Sequence, residues 1–97
     1  MVSIYPACFY KEKNSGYSVI FPVLNIATCG DTLEEAQRMA VDCLAGFLDE
    51  AQQENRQVPP PPAMGDIDID GEYNGYESAF TDTVAVDAGE YAREHFR

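Results

Sequence analysis

Apolar positions open the chain in two stretches, "VSIYPACFYKE" (2–12) and "YSVIFPVL" (17–24), both rich in β-branched and aromatic side chains. Asn14-Ser15-Gly16 between them are turn residues, so the pair predicts a β-hairpin. Pro6 has no backbone donor and pushes the first strand towards an edge or a bulge, and Pro22 ends or deflects the second. "IATCG" (26–30) predicts a short third strand closed by Gly30.

The period then changes. In "GDTLEEAQRMAVDCLAGFLDEAQQEN", Leu33, Ala36, Ala40, Cys43, Leu44, Phe47, Leu48 and Ala51 return at steps of three, four and one, the stripe of an amphipathic helix lying on a sheet. Thr32 with Glu35 spells a capping box, and Glu34 and Glu35 suit the positive end of the helix dipole. The helix is expected to run roughly 22 residues, about 33 Å. Its other face reads Glu35, Arg38, Asp42, Gly46, Asp49, Gln53, where Gly46 costs ~1 kcal/mol relative to alanine and is simply tolerated.

"NRQVPPPPAMG" (55–65) must leave the helix, as a stiff extended spacer that carries the chain back along it. "SAFTDTVAV" (78–86) predicts a fourth strand, and Asp87 with Glu90 forms a second capping box before a short helix, "AGEYAREHF". The expected fold class is α+β: a small antiparallel-type sheet in β-β-β-α-β order, one long helix on one face and a short C-terminal helix. Residues 1–97 read as a single domain with a Pro-rich, acidic connecting segment at 55–77. An edge strand, 79–86 or 2–10, is expected to offer sheet pairing between protomers.

Composition narrows the function. The 45% apolar share is ordinary for a globular chain. No run approaches the ~20 apolar residues of a membrane span, and no basic-then-apolar leader opens the chain. No membrane partner and a cytoplasmic location are therefore expected. Net charge is −11, with 8 acids against 3 bases in residues 1–54 and 9 against 3 in residues 55–97. Acidity spread this evenly repels phosphate, so nucleic-acid binding by this chain alone is not expected, whereas a basic partner would be attracted. Cys8, Cys29 and Cys43 form no C-x-x-C pair and His95 stands alone, so zinc and Cys–His catalysis lack a constellation and no cofactor is expected.

One motif competes for attention. "DIDIDGEYNGYE" (66–77) fits the spelling of an EF-hand loop, with Asp66, Asp68, Asp70 and Glu77 as calcium ligands around Gly71. An EF-hand needs a helix on each side, but Pro59–Pro62 precede this loop and strand-like residues follow it. The better reading is an acidic, exposed loop with Gly71 and Gly75 as turn residues. A weak metal-dependent nuclease is the third possibility. Its acids would have to converge at strand ends, and the hairpin strands offer only Glu12 there.

"YPACF", then "GYSVIFPVL", then a short strand ending in "GDTLEEA" resembles the HicB family of antitoxins over residues 4–62, and more loosely over 78–96. The motif positions are Tyr5, Pro6, Gly16, Tyr17, Val19, Phe21 and Pro22, then Gly30 to Ala36. The resemblance implies a partial ribonuclease-H-like fold without the nuclease's metal-binding acids, and hence no enzyme. It also implies a partner: a small, basic, HicA-like toxin that cleaves mRNA and whose RNA-facing surface the antitoxin covers. A homodimer or higher oligomer of the antitoxin is expected. Candidate toxin contacts are Tyr17, Phe21, Pro22, Val23, Leu24, Asp31, Glu34 and Glu35, with the 66–77 acids beside them. Two departures stand out: "VLNIATCG" replaces the family's usual Asp-Leu-Pro-Gly turn, and the family's C-terminal DNA-binding domain is not expected in this chain.

Overall fold

In the computed structural model, which describes all 97 residues, the first apolar run becomes β1 (Ser3–Lys11) and the second β2 (Tyr17–Phe21). Gly16, at φ +82°, makes the left-handed turn between them, and Cys8 comes to face Ile20 while Lys11 faces Tyr17. Pro22 ends β2 as expected. The turn at 22–25 places Val23 and Asn25 at φ +67° and +60° and leads into β3 (Ile26–Gly30). β4 (Ser78–Val86) runs antiparallel to all of β1, Ser3 opposite Val86 and Lys11 opposite Ser78, giving the strand order β3-β2-β1-β4.

Pro6 therefore lies in an interior strand and not at an edge, and only β4, of the two expected edge segments, is an edge. The register explains why proline is accepted. Thr83, opposite Pro6, gives its N–H to the Asp82 carboxylate at 2.8 Å and so does not pair with β1. The Pro6 nitrogen then faces the β2 side, where pairing covers only Cys8 to Lys11. No ladder bond is lost.

α1 (Leu33–Gln53) follows the predicted stripe, burying Ala36, Ala40, Leu44 and Ala45 against Tyr5, Ala7, Phe9, Val19, Phe21 and Val84 of the sheet, with Ala51 buried further along. Its alanines let the helix approach closely, most of all at Gly30. A Cβ there would stand 2.4 Å from the Ala36 nitrogen, so only glycine lets the first turn of α1 seat on the end of β3. Thr32 Oγ1 accepts the Glu35 N–H at 3.1 Å, and the Glu35 carboxylate accepts from Asp31 N–H at 3.0 Å, one residue earlier than the standard box.

The polar face of α1 is not free. A short helix, Ala88–His95, docks over it: the Tyr91 hydroxyl donates to Asp42 at 3.0 Å, and Arg97 reaches Asp49 at 2.9 Å. Phe96 lies beside Gly46, 3.8 Å from where a Cβ would sit. The proline spacer leaves α1 with Val58 packed on the core and the Pro59 carbonyl accepting the Tyr5 hydroxyl at 2.6 Å.

Residues 64–77 are more than a loop. A 3-10 turn at Met64–Asp66 and a four-residue helix at Ile69–Glu72 carry the chain across the sheet face opposite α1. There Tyr10 is fully buried, donates to the Ile69 carbonyl at 2.7 Å and packs against the Tyr73 and Tyr76 rings at 5.0 and 5.2 Å.

Gly30→Ala should destabilise the fold by about 2 kcal/mol or more, because the added carbon meets rigid backbone and the helix must shift. Gly46→Ala meets only ordinary contact and should be neutral or stabilising by up to ~1 kcal/mol. Urea denaturation of the two variants checks this; equal midpoints would contradict the packing described.

Candidate functional site

The registers bring Lys11, Tyr17, Gly30 and Ser78 to one end of the sheet. The chain just beyond these strand ends is acidic: Glu12 after β1, Asp31 to Glu35 after β3, and Glu77 before β4. Lys11 is taken by Glu77 at 3.2 Å, which leaves Lys13 as the nearest other cation in sequence. Of the seventeen carboxylates in the chain, only Asp49, Glu54, Glu77 and Asp87 face a lysine, an arginine or the N-terminal ammonium within ion-pair reach. Asp31 and Glu34 are exposed and unpaired.

Glu12 organises this rim. Its carboxylate accepts the Ser18 hydroxyl at 2.5 Å and the Tyr73 hydroxyl at 2.8 Å, tying β1, β2 and the crossing segment together. Hydrogen bonds to the charged form, from Ser18 first and then Tyr73, hold the Glu12 carboxyl below the usual glutamate range. The same bond pushes the Tyr73 hydroxyl up. Sequence reading saw Glu12 only as a lone strand-end acid; Ser18 and Tyr73 gave no signal, because their meeting depends on the crossing segment.

The predicted contact residues divide. Tyr17, Asp31, Glu34 and Glu35 sit at the acidic end, Tyr17 and Glu35 half-buried and Asp31 and Glu34 exposed. Phe21, Pro22, Val23 and Leu24 lie at the other end of β2, about 13 Å away at ~3.3 Å per residue. There Phe21, Pro22 and Leu24 are buried, and Val23 alone projects, 56% exposed. The structure thus brings the first four together and holds the other four apart from them.

The calcium-like spelling separates as well. Asp70 accepts the Tyr76 hydroxyl, Glu77 pairs with Lys11, Asp68 precedes the four-residue helix with no side-chain bond to it, and Asp66 ends the 3-10 turn. No three Asp, Glu, His or Cys side chains in the molecule gather in a way that would hold a metal ion. What the spelling concealed is the apolar content between the acids: Ile67, Ile69, Tyr73 and Tyr76 are all half-buried. Burial pushes the Cys8 thiol up and does the same at Cys43, as expected of packing residues; Cys29 is exposed. No helix is long and apolar enough to cross a membrane.

A family model described as HicB-like antitoxin of bacterial toxin–antitoxin system matches residues 5–97. Two relatives from Photorhabdus laumondii, Antitoxin HicB 2 and Antitoxin HicB 1, are each 36% identical over 67 residues, 68% of this chain. The matched region is 48% and 43% of their lengths, so the chain spans less than half of either. A chain from a solved toxin–antitoxin complex of Streptococcus pneumoniae superposes with a TM-score of 0.82 at 26% identity, covering 94% of this chain and 73% of that one.

The depressed Glu12 carboxyl sets a direction for pH. An unfolded chain takes up this proton first, so the stability Glu12 contributes is fully present above the ordinary glutamate value, about 4.3, and is lost as pH falls through the lower folded value. Denaturation midpoints of wild type and Glu12→Gln should therefore differ at neutral pH and converge in strong acid. A gap that persists or widens in acid would contradict the geometry.

Proposed function

The chain belongs to the HicB-like antitoxin family of bacterial toxin–antitoxin systems, and we propose that it neutralises a small, basic, HicA-like mRNA-cleaving toxin by covering the toxin's RNA-facing surface. The observation that carries the reading is the acidic sheet end, with Asp31 and Glu34 exposed and unpaired on a chain of net charge −11. An enzyme that holds RNA presents cations to phosphate. Carboxylates laid over those cations compete for the same sites and speed the encounter. Tyr17 and Glu35 support that rim, Glu35 by fixing the helix start. Val23 is a separate apolar contact at the far end, with Phe21, Pro22 and Leu24 beneath it as its support.

The proposed action is binding alone, in the cytoplasm, with no chemistry, metal or cofactor supplied by this chain. The assembly is a homodimer or larger, its protomers joined away from the masking surface.

Titration calorimetry against a purified basic toxin, encoded by a short reading frame beside this one, tests the proposal. Binding should weaken steeply with salt and ignore calcium. Asp31→Asn with Glu34→Gln should slow association by roughly three- to tenfold with little change in the fold. Asp66→Asn with Glu77→Gln should leave masking of toxin cleavage mostly intact. Absence of binding, or binding indifferent to salt, would sink the reading.

A further inference from the structure

The outer edge of β4 has no neighbour. Because the Thr83 N–H turns away from β1 to Asp82, alternation turns the N–H and C=O groups of Ala79, Thr81 and Ala85 outward too. The edge is nine residues long and carries no proline or lysine to block pairing. Beside it, on the α1 face, lies a recess of about 190 Å³ lined by Phe9, Gln37, Val41 and Val84, with Asp82 among its walls. Phe80 stacks on Phe9 at 5.1 Å alongside and remains 38% exposed.

We infer that this edge receives an extended basic segment of the toxin as a fifth strand, with one lysine or arginine in the recess; this rests on reading the chain as an antitoxin. Main-chain bonds to the outward groups supply affinity, and a pocket for one side chain supplies selectivity. The recess suits a long basic side chain: an apolar stem lies along Phe9 and Val41 and the charged head meets Asp82. In the free protein Asp82 closes the Thr83 N–H. An incoming strand takes over that donor and releases the carboxylate to its cation.

Charge selects this occupant over a second copy. At this edge a two-fold pairing centred on β4 would set Asp82 against Asp82, with no cation to offset either. Asp82, at the middle of the edge, has no cation beside it, so a basic strand meets an unpaired carboxylate there.

Amide hydrogen exchange on the free chain and on its saturated complex with the neighbouring basic toxin is the experiment. Amides of Ala79, Thr81 and Ala85 should slow by roughly tenfold or more in the complex, as newly bonded donors do. Asp82→Lys should weaken the toxin by roughly tenfold or more while leaving the circular dichroism spectrum unchanged. A saturated complex whose outward β4 amides exchange as in the free chain would overturn the edge inference and leave the antitoxin reading standing. Protection that grows with protein concentration and needs no toxin would overturn it in favour of a second copy. Failure of the wild-type chain to bind the toxin would overturn both.

Discussion

Tyr5 to Tyr10 are six consecutive buried residues in a single strand. Neighbouring side chains of a strand point to opposite faces, so such a run can be buried only if both faces are covered. The rest of the molecule answers that demand. α1 covers one face, through Tyr5, Ala7 and Phe9, and it reaches that position because Gly30 lets its first turn seat against the backbone. The segment 64–77 covers the other, through Tyr73, Tyr76 and the Ile69 carbonyl above Tyr10. β2 and β4 close the two sides.

The same demand decides where charge can go. The interior holds no buried charged residue, so every carboxylate lies at or near the surface, most without a cation beside it. Like charges at this density work against compactness. A basic partner would relieve that strain on binding, so recognition and stability would draw on one source. The segment that completes the core is also among the most acidic in the chain. Covering Tyr10 and presenting acid are two sides of one stretch of sequence.

Periodicity made the hairpin, α1 and its Thr32 cap legible, since those elements follow from local pattern. The position of β1 was readable too, had the unbroken run from Tyr5 to Tyr10 outweighed Pro6. A strand buried on both faces shows no alternation, whereas an edge strand usually does. The polar face of α1 pointed to solvent by the same local rule, yet Tyr91, Phe96 and Arg97 cover it through Asp42, Gly46 and Asp49. That contact joins residues about half the chain apart, beyond the reach of any periodicity. For 64–77 the acids masked a simpler signal. Ile67, Ile69, Tyr73 and Tyr76 are too many large apolar side chains for a solvated loop.

The two edges of the sheet are treated differently, and that contrast bears on recognition. β3 has five residues and lies under α1, with the Cys43 sulfur 3.8 Å from the Ala27 carbonyl. β4 has nine, and its outer donors face solvent except where Asp82 folds back on Thr83. A long open edge invites unwanted pairing unless something discourages it. A mid-strand carboxylate does so for copies of an acidic chain, and it does nothing to deter a cationic strand. One residue can thus keep the β4 edge from pairing with another copy while leaving it open to a partner of opposite charge.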